Sequence, residues 1–254
     1  MLGSLAFFRD VTRLLLSTLY WIFWGPLRKR PFSLEHVTDQ TVFGGVNSIL
    51  IVCFVNFAMG IVLAMQTAYQ LEQLGATIYV AAIVGVSMAR EIGPVLTALV
   101  VAGRVGAAIT AEISTMKVTE QIEALETLAL NPVRYLVVPR FIALLVMLPC
   151  LVLLADLAGM LGGFAIGTLS LDLRPGLYMD TTVDFLEMKD VLTGLVKSMV
   201  FSMIITMIAC ERGLSTYGGA EGVGRSTTAS VVLAFIFIIV ADAILTAIFY
   251  FSGA

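Results

Sequence analysis

Charge and histidine are scarce in this sequence. Of its 254 residues, 13% are charged, one is a histidine and 59% are hydrophobic, which gives a mean hydropathy of +0.99. A chain of this length with so few charged groups has too little polar surface to form a soluble globule. The sequence therefore predicts an integral membrane protein.

The motifs of common enzymes are missing as well. The sequence contains no HExxH, no GxSxG and no Walker motif, and its one histidine, His36, lies outside the long apolar segments. Three cysteines, Cys53, Cys150 and Cys210, lack CxxC spacing and lie in apolar stretches, where we expect inert thiols. The glycine-rich segment 218–224 resembles a phosphate loop only superficially, because no Gly-Lys-Ser/Thr follows it. We therefore expect this chain to carry no catalytic residue, no metal and no bound cofactor, so that its energy comes from a partner.

Long apolar segments, by contrast, are abundant. Five of them reach the ~20 residues that a helix needs to cross a bilayer. They lie at about 43–70, 77–103, 137–170, 191–210 and 227–251. The sequence therefore predicts an all-α fold with five transmembrane helices in a single domain, residues 1–254.

Residues 1–35 are predicted to form an amphipathic helix that lies in the membrane interface. The apolar run Leu14–Trp24 has ~11 residues, fewer than a span requires, and cations flank its tryptophans. The alternative is a spanning helix that begins nearer Leu2, which would bury Arg9, Asp10 and Arg13 in lipid.

The distribution of cations predicts an orientation. Eleven Lys and Arg residues precede the first span or lie between the second and third or the fourth and fifth, and only Arg174 and Lys189 lie on the other side. Cytosolic loops carry the excess of cations in membrane proteins. We therefore expect the N-terminus in the cytosol, the C-terminus outside, and residues 171–190 to form a solvated loop on the far side.

Two charged residues lie deep in the second predicted span. Arg90 and Glu91 follow 17 uncharged residues, and Pro94, which lacks an amide donor, should kink the helix just after them. Adjacent helical residues point about 100° apart, so we expect the two side chains to face different neighbours. Either other helices satisfy both charges, or one of them meets a cavity.

The first predicted span carries a polar face near its outer end. Gln66, Gln70 and Gln73 share one side of the helix, with Tyr69 beside them. Two interpretations remain open: a ladder of hydrogen bonds between helices, or the wall of a cavity that touches a polar headgroup.

Buried ions are also expected in the last three spans. Lys197 and Asp242 lie at similar distances from the outer ends of the fourth and fifth spans, which predicts a structural ion pair. Removing one partner alone should then lower the yield of folded protein more than removing both. In the third span, Asp156 is predicted to be a hydrogen-bonded structural carboxylate, and the GxxxGxxxG pattern of Gly159–Gly167 to be a close-packing face.

A short amphipathic helix is predicted at about 112–129, between the second and third spans. Its apolar side holds Val118, Ile122 and Leu125, and its acidic arc holds Glu120, Glu123 and Glu126. Such a helix on the cytosolic side is suited to docking on a partner, and a solvated face is the alternative.

The sequence resembles the MlaE/YrbE family, the permeases of ABC transporters that work with MCE proteins on lipids. The resemblance covers about residues 43–252 and rests on REIGPV, AGRVGAAITAEI, KVTEQIEALETLALNP, GLVKSMVF and ADAILTA. It implies a homodimer in the bacterial inner membrane. The partners it implies are a second copy of the chain, a cytosolic ATPase that holds ATP and Mg, a periplasmic MCE protein, a small cytosolic STAS-domain protein and phospholipid, with no nucleic acid.

The resemblance also assigns roles to residues. It makes the helix at 112–129 the ATPase-coupling helix, and it implies a lipid cavity lined by Gln66, Tyr69, Gln70, Leu74, Arg90 and Glu91. The expected function is transport of phospholipid between the inner membrane and the MCE protein, which maintains the lipid asymmetry of the outer membrane. A lipid-modifying intramembrane enzyme that uses Glu91, Asp156 or Arg90, and a passive scaffold, are the alternatives.

Overall fold

Helices make up almost the whole of the protein in a computed structural model, which describes residues 2–27 and 34–252. No β-strand occurs in these two ranges. The helices are α1 Leu2–Leu27, α2 Leu34–Gly44, α3 Ile49–Glu72, α4 Tyr79–Ser87, α5 Gly93–Val101, α6 Ala107–Val118, α7 Gln121–Thr127, α8 Val138–Leu169, α9 Pro175–Phe185, α10 Met188–Leu214 and α11 Gly219–Ser252.

Five helical stretches of the described chain are long and apolar enough to cross a membrane, which confirms the predicted all-α membrane fold with five spans. They are Val37–Glu72, Tyr79–Val118, Val133–Leu169, Met188–Leu214 and Gly219–Phe251. The second stretch ends at Val118, well beyond the predicted end near residue 103, because two π-helical turns, Met88–Ile92 and Ala102–Gly106, join α4, α5 and α6 end to end.

The N-terminal helix α1 is not among these five stretches. It has 26 residues, more than the apolar run Leu14–Trp24, and it packs against the π-helical turn Val133–Val137. The Arg134 guanidinium lies 5.7 Å from the centre of the Trp21 ring, a cation–π geometry that helps to fix the helix. Residues 28–33 of the predicted interfacial segment lie outside the described ranges, and its place in the interface stays a prediction.

The helices of the described chain group into two compact units, and the single permease domain over residues 1–254 stays a prediction. The first unit comprises Met1–Val46, Val101–Met147 and Phe201–Ile239, and the second comprises Asn47–Val100, Leu148–Val200 and Val240–Ala254. Helices α8, α10 and α11 each contribute residues to both units.

Small residues bring the helices of the second unit into close contact. A methyl group on Gly159 would collide with Met88, and one on Gly167 would collide with the Tyr178 ring, so the GxxxGxxxG face of α8 packs closely, as predicted. In the same unit, Gly194 of α10 lies against the backbone of Ala89. Backbones that approach this closely leave no room for a side chain.

The predicted loop 171–190 contains an ordered helix, α9. It packs against α4, with Tyr178 and Thr182 buried, and burial raises the pKa of the Tyr178 hydroxyl to about 12. Pro175 occupies the first turn of α9, where its missing amide donor costs nothing. Most side chains of this segment are exposed, in keeping with a solvated segment, but Tyr178 and Thr182 pack inward, which the acidic residues around them did not indicate.

Buried hydrogen bonds tie the helices of the first unit together. The Thr110 hydroxyl of α6 has two possible acceptors on other helices. These are the Ala209 carbonyl of α10, at 3.2 Å, and the Ser230 hydroxyl of α11, at 2.9 Å. On α8, Arg140 is 4% exposed, and its Nη2 lies 2.7 Å from Glu112 Oε2 of α6. Buried polar groups require such partners.

Candidate functional site

The ammonium group of Lys197 is at the centre of an ionic cluster in the second unit. Its side chain is completely buried on α10, yet Nζ lies 2.5 Å from Glu91 Oε2 and 2.8 Å from Asp242 Oδ1. It also donates a hydrogen bond of 2.7 Å to the Thr246 hydroxyl. A buried ammonium group without partners is costly, and these three oxygens supply the partners that Lys197 needs.

The hydroxyl of Thr246 closes the network. It accepts a hydrogen bond from Lys197 and is 3.1 Å from Glu91 Oε1, to which it donates. The cluster therefore holds one cation and two carboxylates, with a formal charge of −1. Lys197 comes from α10, Asp242 from α11, and Glu91 from the π-helical turn Met88–Ile92. The structure brings Lys197 and Asp242 together and adds Glu91, which the sequence had placed in a separate cavity.

The π-helical turn Met88–Ile92 positions both deep charges of the second span. Pro94 cannot donate a backbone hydrogen bond, and the Gly93 amide bonds the Met88 carbonyl, so the expected kink takes the form of a widened turn. Arg90 Nη1 lies 3.4 Å from Asp190 Oδ1.

Arg90 and Glu91 thus both pair with residues of α10. The prediction that adjacent residues must face different neighbours was wrong. Asp190 and Lys197 are seven residues apart, about two helical turns, so they share one face of α10. The long side chains of Arg90 and Glu91 leave the second span in different directions, and both reach this face of α10.

A cavity of about 260 Å³ opens beside the cluster. Apart from the carboxylates Glu91 and Asp242 its lining is apolar: Met59, Ile92, Val95 and Leu96. Such a mixture suits an amphiphilic molecule, since apolar walls receive a hydrocarbon chain while the charges orient a polar group.

The predicted polar face of α3 is exposed and lies outside this cavity. Gln66 and Gln70 are exposed, Tyr69 is 71% exposed and Leu74 is 76% exposed. The cavity residue Met59 precedes Gln66 by seven residues, so the two share a face of α3 about 10 Å apart at 1.5 Å per residue. A polar stripe therefore lies on the face of α3 that Met59 shares, with the apolar residues Val62 and Leu63 between the stripe and the cavity.

Asp156 lies close to the turn but outside the cluster. It is 6% exposed, and among the described residues its Oδ1 atom has no hydrogen-bond partner. The predicted hydrogen bond to that oxygen is therefore not found. A methyl group on Gly93 would collide with it, so the carboxyl fills the space that the glycine leaves.

The predicted helix at 112–129 consists of two pieces. The second span continues through α6 to Val118, and Glu120, with φ of 60°, interrupts the helix before α7. Ile122 is 4% exposed because α7 packs against α6. Val118 and Leu125 are partly buried. The apolar side of this segment therefore packs largely on the chain itself.

The acidic side chains of this segment remain accessible. Glu120, Glu123 and Glu126 are all exposed. Lys117 forms an ion pair with Glu123, and its hydrogen bond lowers the pKa of the Glu123 carboxyl. Beyond α7, Leu128 is 70% exposed, and it is the accessible apolar group that the helical pattern missed.

Comparisons with known proteins identify the family. A family model described as Permease MlaE matches residues 37–248. The chain belongs to the MlaE permease family. It is 43% identical over 222 residues to a "Probable ABC transporter permease protein" of Rickettsia prowazekii, which covers 87% of this chain and 86% of the relative. A protein of the same description from Synechocystis is 41% identical over 82% of this chain and 79% of its own length.

A plant relative is also similar. The Protein TRIGALACTOSYLDIACYLGLYCEROL 1, chloroplastic, of Arabidopsis thaliana is 36% identical over 77% of this chain and 56% of its own length. The chain is thus an ABC transporter permease, a multi-pass membrane subunit, and this class of transporter works with a cytosolic ATPase.

Several residues of the permease site were missed by sequence reasoning, among them Thr246 and Met59. Thr246 follows Asp242 by four residues, so both lie on one face of α11, and this spacing was a usable signal. Met59 carries no such signal, because its place in the cavity depends on how α3 packs.

Substitution of Gly93 by alanine is expected to destabilise the permease by about 1–3 kcal/mol. The new methyl group would meet Asp156 Oδ1 and would lie 2.8 Å from the Met88 carbonyl oxygen. Gly103→Ala is the matched control, because its methyl group meets only Phe235 Cζ, at 3.8 Å. Thermal melting in detergent measures the difference, and equal melting temperatures for the two variants would contradict this account of the packing.

Proposed function

We propose that this permease moves phospholipid between the bacterial inner membrane and a periplasmic MCE protein, driven by the ATPase. The observation that carries the proposal is the cavity beside Glu91 and Asp242, with its apolar walls and two carboxylates. The exposed polar stripe on the same face of α3 as Met59 supports the same conclusion. The name of the Arabidopsis relative contains that of a diacylglycerol lipid, which agrees with a lipid substrate.

A second copy of the chain is proposed to complete the cavity. Pockets that enclose small ligands measure roughly 300–1,000 Å³, whereas the cavity of one chain has about 260 Å³. A phospholipid is larger than such ligands, so one chain offers only part of a wall. Two copies that face each other across the Gln66–Gln70 stripe would enclose enough volume.

The proposed orientation puts α7 in the cytosol. The excess of cations between the second and third spans supports it. The exposed carboxylates of α7 then face the ATPase, and Leu128 adds an apolar contact. The N-terminus is cytosolic and the C-terminus periplasmic in this arrangement.

The remaining partners rest on the family resemblance. An MCE protein would receive or deliver lipid on the periplasmic side, and a small STAS-domain protein would bind on the cytosolic side. A role in outer-membrane lipid asymmetry follows if the lipid carried is phospholipid.

Photo-crosslinking tests the lipid cavity. A crosslinker at Met59 or at Gln70 should capture phospholipid several-fold more than one at Phe54, which is 70% exposed on the same helix. In proteoliposomes that contain the ATPase, ATP should change the yield at Met59 and leave that at Phe54 unaltered, because only a transported lipid responds to the cycle. Equal labelling at all three positions, with or without ATP, would count against the cavity.

A further inference from the structure

A second cavity lies in the first unit and shares no residue with the ionic cluster. It has about 300 Å³ and lies between α1, the end of α10 and the start of α11. Four charged side chains line it: Asp10, Glu211, Arg212 and Arg225. Two are anionic and two are cationic, and Arg9, which does not line the cavity, pairs with Asp10 at 3.1 Å.

The guanidinium of Arg212 is held in place. Its Cζ atom lies 4.4 Å from the centre of the Phe7 ring, and its Nε lies 3.3 Å from Glu211 Oε2. Cation–π contact and ion pairing both restrict the side chain. Arg225, by contrast, is 70% exposed and is paired with the exposed Glu221 at 3.1 Å. Exposed pairs of this kind contribute little stability, so a phosphate can replace Glu221 as the partner of Arg225.

An open groove continues from this cavity along α11. The groove has about 690 Å³, and it shares Arg212, Arg225 and Ala229 with the cavity. Farther along it is lined by Val232 and Leu233. A charged chamber is therefore joined to an apolar groove at the end of two membrane spans.

We propose that this site binds a zwitterionic phospholipid with a primary amine. The phosphodiester contacts Arg212 and Arg225, the ammonium group contacts Asp10 and Glu211, and an acyl chain lies in the groove along Val232. An anionic headgroup would satisfy the guanidinium groups but repel the two carboxylates, whereas a zwitterion matches both. The chamber is at the small end of ligand-site volumes and fits a headgroup rather than a whole lipid. The inference does not depend on lipid transport.

Site-specific photo-crosslinking with lipid mixtures tests the proposal. The full-length permease carries a photoreactive residue at Ser226 in the cavity, at Val232 in the groove, or at Ile236, which is 52% exposed on the same helix. Nanodiscs contain equal amounts of phosphatidylethanolamine, phosphatidylcholine and phosphatidylglycerol. We expect phosphatidylethanolamine adducts to exceed phosphatidylglycerol adducts about tenfold at Ser226 and Val232, since charge-assisted hydrogen bonds distinguish the headgroups. At the control position Ile236, the adducts should contain the three lipids in the same proportions as the nanodisc.

Substitutions separate the headgroup contacts from general lipid binding. Arg225→Gln combined with Asp10→Asn should lower the Ser226 adduct about tenfold, and Ala229→Phe, which fills the junction, should lower the Val232 adduct. Asp39→Asn is the control, because Asp39 is exposed on α2 and lines neither the cavity nor the groove. Equal labelling by the three lipids at Ser226 would overturn the proposal. If soluble glycerophosphoethanolamine competed as potently as the whole lipid, this would also overturn the proposal, because the groove would then contribute no affinity.

Discussion

Lys197→Met is expected to lower the yield and the melting temperature of the permease more than any other single substitution in the ionic cluster. It leaves Glu91 and Asp242 as two neighbouring carboxylates without a cation, and breaking a buried pair in this way costs about 3–5 kcal/mol. Asp242→Asn should cost much less, because Lys197 keeps Glu91 at 2.5 Å. Size-exclusion yield and thermal melting in detergent measure both effects.

The second carboxylate changes the double-mutant cycle expected from the sequence. Lys197→Ala with Asp242→Ala still leaves Glu91 without a cation, so the double variant should recover less than an isolated pair would. Adding Glu91→Gln to Lys197→Met and Asp242→Asn removes every charge and should recover most of the loss.

Lys189→Met is the matched control for this series. It lies on the same helix in an exposed pair with Glu187 at 3.0 Å, and such surface pairs contribute about 0–1 kcal/mol. If Lys197→Met melted like Lys189→Met, or if Asp242→Asn cost as much as Lys197→Met, the cluster would not be a coupled unit.

Reversal of Glu120, Glu123 and Glu126 to lysine should abolish co-purification of the ATPase. Reversed charges at a docking surface turn attraction into repulsion, which costs several kcal/mol and weakens binding by about 100-fold or more. Glu120→Lys alters the charge without relieving the left-handed backbone, since lysine and glutamate are equally disfavoured at φ of 60°. Affinity purification followed by ATPase assay measures the loss.

Two variants sharpen this experiment. Leu128→Ser removes the exposed apolar group and should weaken binding without changing charge. Glu187→Lys reverses an exposed acid that lies outside α7 and should leave the complex intact. Normal complex yield and ATP turnover in the triple variant would refute docking through α7.

The sequence by itself determined the membrane class, the five spans and the family. A stretch of about 20 apolar residues predicts a membrane span, and this prediction does not depend on which helices lie beside it. Glycines at every fourth position, as in Gly159–Gly167, likewise indicate close helix packing from the local pattern alone. The helix ends were less certain. Nothing local stops the second span near residue 103, and a single left-handed residue, Glu120, ends the helical run instead.

Only the tertiary structure decided that Glu91 joins the predicted pair of Lys197 and Asp242. Glu91 and Lys197 are 106 residues apart, and Glu91 and Thr246 are 155 apart, so no local pattern assigns Glu91 to Lys197 rather than to an open cavity. The same holds for Ile122, whose helical position suggested a docking face but whose burial depends on α6. Periodicity gives the direction in which a side chain points from its own helix. The partner that the side chain meets depends on how separate helices pack, and this packing is determined by contacts between residues far apart in the chain.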